Sequence, residues 1–134
     1  MPAHFLATLP NFLAYLGTAI VLLAAFVTIY LYVTPYDEIA LIRNNNTAAA
    51  ISLAGAILGF AMPIANVIAH SDTLLDLVFW GVVAGLVQLA AWGVARVALP
   101  TLKEDIAANR AAPATFVAAL SATIGLINAA CMTY

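Results

Sequence analysis

Charge is what this sequence has least of. Its 134 residues include four Lys or Arg and six Asp or Glu, so charged residues make up 7% of the composition, whereas a water-soluble domain has roughly a quarter. This shortage excludes an ordinary soluble globular domain. The net charge of −2 offers no basic footprint of the kind that nucleic-acid binding requires. Cysteine is almost absent too, and the single Cys131 excludes a disulfide within the chain.

Four long apolar runs are present instead, and each is close to the about 20 residues that a helix needs to cross a bilayer. Their approximate limits are 11–33, 47–68, 77–99 and 113–133. Continuous runs rich in Ala, Leu, Ile, Val and Gly favour helices over the alternating strands of a membrane barrel. The predicted fold class is therefore all-α integral membrane, with four transmembrane helices in one domain, residues 1–134. The N-terminus lacks the positive charge of a signal peptide, so we expect the first run to be a retained helix.

The positions of the cations predict how the chain is oriented. Arg43, Arg96, Lys103 and Arg110 all lie in or beside the first and third connections between runs. Because cations in short loops stay in the cytoplasm, these connections are expected to be cytoplasmic. Both termini and the segment 69–72 are then expected to face the outside.

The two halves of the sequence resemble each other and predict a duplicated helical hairpin. Pro35 and Pro100 each end a run, and Asn44 and Asn109 follow them at the same spacing. Since each half holds two spans, the halves run in the same direction, as a parallel repeat. The predicted repeats cover about 11–68 and about 77–133.

A short amphipathic helix at the cytoplasmic interface is expected in each half, at about 35–43 and 101–108. Thr34 is a candidate N-cap for the first, and Asp37 and Glu38 suit the positive end of a helix. Asparagine is expected to end each short helix, since it tolerates turn geometry.

The chain resembles the YjfL family of small bacterial inner-membrane proteins, a group classed as a domain of unknown function. The residues that carry the resemblance are Leu41-Ile42-Arg43-Asn44-Asn45-Asn46-Thr47-Ala48-Ala49, Gln88-Leu89, Arg96 followed by Pro100, and Asn128-Ala129-Ala130-Cys131-Met132-Thr133. The resemblance implies four spans with a duplicated hairpin, a bacterial inner-membrane location and, through neighbouring genes in such families, an envelope-stress setting. It brings no biochemical activity with it.

Gln88 is the most suggestive polar residue, because it lies at the middle of the third run, where a polar side chain is costly in lipid. It could line a polar path, or it could bond one helix to another, which we favour. Asn66 and Asn128, near the outer ends of two runs, could extend such a path or bond across helices. Arg96 could snorkel to the headgroups or pair with an acid such as Asp37 or Glu38.

Pairs of small residues four positions apart predict close contacts between helices. These candidate packing residues are Gly55 and Gly59, Gly81 and Gly85, and Ser121 and Gly125.

The first connection carries a polar run that is a candidate docking surface, together with cations of the third connection. The residues are Asn44, Asn45, Asn46, Lys103 and Arg110. The three asparagines could equally be a turn into the second run. His70, Asp72 and Asp76 lack convincing metal-ligand spacing, and no catalytic motif or cofactor motif is present in the sequence.

These features predict a homo-oligomeric scaffold or interaction protein rather than an enzyme, with no cofactor and no metal. Its expected partners are membrane lipids, further copies of the chain, and cytoplasmic or membrane proteins, but not nucleic acid. The alternative is a homo-oligomeric channel or small transporter in which Gln88 lines a polar path.

Overall fold

The structure is a computed structural model that describes residues 2–71 and 73–132. The described part consists of helices joined by short connections. In order they are α1 (Pro2–Val33), α2 (Glu38–Arg43), α3 (Thr47–His70), α4 (Leu74–Ala98), α5 (Leu102–Ala107) and α6 (Ala111–Cys131). Of these, α1, α3, α4 and α6 are long and apolar enough to cross a membrane. The predicted all-α, four-span fold class is confirmed.

Helix α1 begins earlier than predicted, at Pro2 instead of residue 11, and it contains Pro10. The segment before Pro10 is still largely apolar, with Phe5, Leu6 and Leu9, and one proline removes a single backbone donor. The interruption is therefore too small to end the helix.

The start of α2 corrects a second expectation. Its N-cap is Asp37, whose carboxylate accepts from the backbone N–H of Ala40 at 3.2 Å. Thr34 does not cap the helix, because its hydroxyl donates to the carboxylate of Glu38. The helix thus starts three residues later than the predicted position 35.

Each short helix ends at an asparagine in the left-handed region, Asn45 with φ 65° and Asn109 with φ 61°. Asparagine adopts this backbone more readily than other residues with a side chain. The chain turns back sharply at these two positions into α3 and α6. The parallel relation between the two halves stays a prediction.

Helix α3 is the centre of the bundle and α1 is at its periphery. In the most apolar 18-residue stretch of each helix, 56% of α3 is buried against 6% of α1. Helix α1 contacts the bundle through a few large side chains, among them Phe26, which stacks on Phe60 of α3 with ring centroids 4.5 Å apart. The outer face of α1 is left to lipid.

The contact between α3 and α6 is close because glycines line it. A methyl group at Gly55 would collide with the backbone of Ala118, and one at Gly125 would collide with the backbone of Gly59. With no side chains between them, the two backbones pack directly against each other.

Candidate functional site

The end of the bundle that holds α2 and α5 carries all four cations of the chain, and we call it the charged end (residues 34–46 and 96–110). Arg43, Arg96, Lys103 and Arg110 are all exposed there. Arg110 lies 3.5 Å from the carboxylate of Asp105. The predicted docking cations Lys103 and Arg110 are therefore available at the surface.

Two asparagine side chains join the two connections at the charged end. Asn46 caps α3 by accepting from Ala49 N–H at 2.8 Å, and its amide also donates to the carbonyl of Ile106 at 2.9 Å. In return, the side chain of Asn109 accepts from Ala48 N–H at 2.9 Å. These bonds span about sixty residues of sequence and hold α3 and α5 together. The backbone N–H of Asn46 also donates to the carbonyl of Leu41 in α2 at 2.9 Å.

The asparagine run therefore divides into two parts. Asn44 and Asn45 are exposed and could meet a partner, whereas Asn46 is buried and has both ends of its amide bonded. Its assignment to the docking surface is corrected, because a side chain used for capping and for bonding α5 is not free to bind anything else.

Beneath the charged end lies a group of polar side chains with little or no exposure, which we call the buried polar cluster. Its members come from α1, the α1–α2 connection, α2, α3 and α4, and they are Tyr30, Thr34, Tyr36, Glu38, Ser52 and Trp92. Glu38 and Tyr30 have no exposed surface at all. The two tyrosine hydroxyls face both Glu38 and Ser52.

The cluster is poorly supplied with hydrogen bonds. Five of its side-chain atoms have no partner in normal geometry: Tyr30 Oη, Tyr36 Oη, Glu38 Oε2, Ser52 Oγ and Trp92 Nε1. A buried polar atom without a partner costs about 1–3 kcal/mol. Several unsatisfied buried polar atoms close together in a native protein are typical of a functional site or of a site that binds water or an ion.

Burial controls the charge of this cluster. Burial raises the pKa of Glu38 to about 7, an effect that the Thr34 hydrogen bond opposes and the nearby Asp37 reinforces. Burial, followed by the proximity of Glu38, likewise raises the pKa of Tyr36. The carboxyl of Glu38 therefore changes protonation near neutral pH instead of far below it.

This cluster was not predicted from the sequence, where Glu38 was expected at a helix end and was not connected to Tyr30. One signal was available. Tyr30, Thr34 and Glu38 are spaced four residues apart, which places them on one face wherever the chain is helical. The contributions of Ser52 and Trp92 depend on contacts between helices and leave no local pattern.

Gln88 is buried between α3, α4 and α6. Its side-chain amide donates to the carbonyl of Ser121 at 3.0 Å and lies against Gly59, while its Oε1 has no partner. This geometry is that of a bond between helices.

The other residues proposed for a polar path lie apart from Gln88. Asn66 donates to the carbonyl of Ala129 at 2.7 Å and lines an open recess at the opposite end from the charged connections. Asn128 is half-buried, with an unpartnered Nδ2. Within one copy of the described chain, these contacts do not join Gln88, Asn66, Asn128 and Arg96 into one path.

Arg96 stacks over the ring of Trp92, with 5.5 Å between the guanidinium carbon and the ring centroid. It therefore does not pair with Asp37 or Glu38 as one alternative proposed. The Trp92 ring lies on the same helix one turn away, so the contact forms without bringing α2 closer.

The predicted packing pairs behave differently from one another. Gly55, Gly59 and Gly125 sit where backbone meets backbone. Gly81 instead faces the side chain of Leu22 on α1, and a methyl at Gly85 would have ordinary contacts of 3.7 and 3.8 Å with Phe26 and Phe60. Helix α4 thus meets α1 through large side chains, so its glycines do not mark a close approach of two helices.

Asp72, in the connection between α3 and α4, lies outside the described residues. Within the described ranges, no group of three or more His, Cys, Asp or Glu is placed to hold a metal ion.

The chain is similar in sequence to a family of bacterial membrane proteins. A family model described as Domain of Unknown Function (DUF350) matches residues 4–132. The chain is similar to UPF0719 inner membrane protein YjfL of Escherichia coli strain K12, with 34% identity over 131 residues, 98% of this chain and 99% of that protein. It is also similar to UPF0719 transmembrane protein YshE of Bacillus subtilis strain 168, with 30% identity over 92 residues, 69% of each chain. No solved structure matches it closely.

Proposed function

The chain belongs to the DUF350 family, and from this membership and the structure of the charged end we propose that it acts as a homo-oligomeric membrane scaffold. It is a multi-pass inner-membrane protein. In this proposal the charged end binds a partner protein on the cytoplasmic side, where the positive-inside rule places it. The envelope-stress setting rests on the family resemblance alone.

One observation carries the proposal: the side chains of Asn46 and Asn109 bond α3 to α5, and the backbone N–H of Asn46 donates to Leu41 of α2, so that the three helices form one surface. A surface that is already ordered loses little conformational entropy when a partner binds. Exposed charges of both signs, from Lys103, Glu104 and Arg110, lie on it. Such a surface suits selective binding of a protein with complementary charges.

The homo-oligomeric part of the proposal draws on α6. Its exposed face carries a row of small residues at helical spacing, namely Ala112, Thr115, Ala119 and Thr123. Small residues allow a second helix to approach closely in a membrane, where the hydrophobic effect gives no drive for association.

Site-specific photo-crosslinking in membranes tests the scaffold. A photo-reactive residue at Ala108, which is exposed at the charged end, is expected to give protein adducts that Lys103→Glu removes. The same group at Leu75, exposed beyond the other end, is the control and is expected to give none of those adducts. Identical adducts from both sites, or none from Ala108, would contradict the proposal.

The alternative is a homo-oligomeric channel or small transporter, and one observation favours it: Gln88 Oε1 and Asn128 Nδ2 are unpartnered inside the bundle. A cysteine replacing Gln88, in a Cys131→Ser background, distinguishes the two functions. Reaction with a membrane-impermeant thiol reagent would show a water-filled path, whereas the scaffold predicts no reaction.

A further inference from the structure

Glu38 is a carboxyl group in an interior that offers it no cation. One of its oxygens accepts from Thr34, the other has no partner, and the side chain has no exposed surface. The cations of the charged end do not pair with it: Arg96 lies over Trp92, and Arg43 and Lys103 are exposed. An unpaired buried carboxylate is strongly unfavourable.

A protonated Glu38 would suit its surroundings better than a carboxylate. The neutral acid has an O–H donor, and the hydroxyl oxygens of Tyr30 and Tyr36, which have no hydrogen-bond partner, lie near the carboxyl, with Ser52 beside the two tyrosines. Protonation removes the charge and supplies a donor in the same step.

We propose that the buried polar cluster is a proton-binding site in which Glu38 is the acceptor, and the hydroxyls of Tyr30, Tyr36 and Ser52 hold the bound proton in a hydrogen-bonded network. The ligand is a single proton taken from water, so the carboxylate becomes a carboxylic acid and no other bond changes. This site is independent of the scaffold function, since it does not depend on a partner or on a second copy.

The cluster also has a route to the surface. A cleft of about 90 Å³ lies between the two connections. Tyr36 and Trp92 belong both to its lining and to the cluster, and Arg96, Lys103 and Glu104 line its outer part. The cleft therefore leads from the charged end to the edge of the cluster, and in this proposal it is where the proton enters.

The groups that face Glu38 support titration near neutrality. Tyr30 of α1 and Tyr36 and Asp37 of the connection interact with Glu38 directly. Ser52 of α3 and Trp92 of α4 lie beside the tyrosines, and Arg96 stacks on the Trp92 ring. On α5, Lys103 and Glu104 line the cleft next to Tyr36. Asp37 opposes ionisation of Glu38, and burial opposes it more strongly.

The fluorescence of Trp92 is the first test, using the protein in lipid nanodiscs with Trp80→Phe to remove the second tryptophan. The proposal expects a single transition centred near pH 7, abolished by Glu38→Gln and retained in Asp76→Asn, which alters an acid in the first turn of α4 at the opposite end of the bundle. A transition that persists in Glu38→Gln overturns it. A response to Na⁺ or K⁺ at constant pH, with no response to pH, also overturns it and makes the cluster a cation site.

Infrared difference spectroscopy of the unmodified chain is the second test and needs no tryptophan substitution. Lowering the pH through neutrality is expected to create the carbonyl band of a buried carboxylic acid, which shifts in deuterated water. The band should be missing in Glu38→Gln and present at a shifted pH in Glu38→Asp. No band in the unmodified protein overturns the proposal.

Discussion

At the scale of single residues, Glu38 shows how position determines the chemistry of a side chain. Asp37 and Glu38 are neighbours in sequence, yet Asp37 is exposed and caps α2, while Glu38 points inward to the buried polar cluster. The turn between Thr34 and the start of α2 produces this difference. Burial without a cation then makes the charged form of Glu38 the unfavourable one.

This difference predicts how stability depends on pH. The pKa of Glu38 rises from its ordinary 4.5 to about 7 in the folded chain, so between these values the folded state binds more protons than the unfolded state. The free energy of unfolding should therefore fall as pH rises from about 4.5 to about 7. The Glu38 contribution to that fall is at most about 3 kcal/mol, at 1.36 kcal/mol per pKa unit.

Thermal unfolding in detergent at a series of pH values measures this dependence. Glu38→Gln should remove the decline in this window and melt above the unmodified protein at pH 8 and higher. Glu104→Gln, at an exposed acid, should leave the profile unchanged. If Glu38→Gln destabilises the protein at high pH, the carboxylate has a stabilising partner and the prediction is wrong.

At the scale of helices, the close contact of α3 with α6 depends on the absence of side chains at its glycines. Gly59 faces both the carbonyl of Ser121 and the amide of Gln88. Any side chain there would separate the two helices and break the Gln88–Ser121 hydrogen bond. Gly85 of α4 differs, because it lies against the rings of Phe26 and Phe60, which leave room for a methyl group.

Gly59→Ala and Gly85→Ala therefore form a matched pair. Gly59→Ala should destabilise the protein by about 1–3 kcal/mol through overpacking against backbone. Gly85→Ala should be neutral or stabilising by up to about 1 kcal/mol, since alanine is the better helix former. Melting temperatures of both variants in the same detergent provide the measurement, and equal losses would contradict this account of the contact.

The connections between helices depend on asparagine for two separate reasons. Asn109→Gly keeps the left-handed backbone but removes the bond to Ala48 N–H, so it should cost about 1 kcal/mol. Asn45→Gly changes a left-handed residue whose side chain is exposed and should be nearly neutral. Hydrogen exchange at the start of α3 should speed up in the Asn109 variant alone.

At the scale of the whole molecule, the four spans were predictable because each is a continuous apolar run, and bilayer thickness fixes its length. The residues at which helices begin were less predictable from the sequence. Pro10 lies inside α1 and does not begin it, and Asp37 is the N-cap of α2 in place of Thr34. Gly59 and Gly125 were predicted to pack, but the helix that each one meets depends on the tertiary arrangement. The buried polar cluster was missed for a related reason: Tyr30, Thr34, Tyr36 and Glu38 lie within nine residues, but Ser52 of α3 and Trp92 of α4 join them only through contacts between helices.

The orientation in the membrane is a prediction that a reporter can check. An enzyme active only outside the cytoplasm should be active when fused after the C-terminus and inactive when fused within the third connection, after Ala108. The physical reason is that all four cations are on the same side and resist translocation. The reverse pattern would place the charged end, and with it the proposed docking surface, outside the cell.

Self-association should involve α6 instead of α1, although α1 exposes more surface. The outer face of α1 carries large side chains such as Phe5 and Leu13, which lipid chains solvate as well as protein does, whereas small residues on α6 let backbones approach. The mass in native-like membranes should be a multiple of 14.0 kDa. Ala119→Leu on α6 should reduce that mass to a single copy, while Ala24→Leu, exposed on α1, should not. A single-copy mass before any substitution, or loss of assembly with Ala24→Leu alone, would remove α6 as the contact between copies.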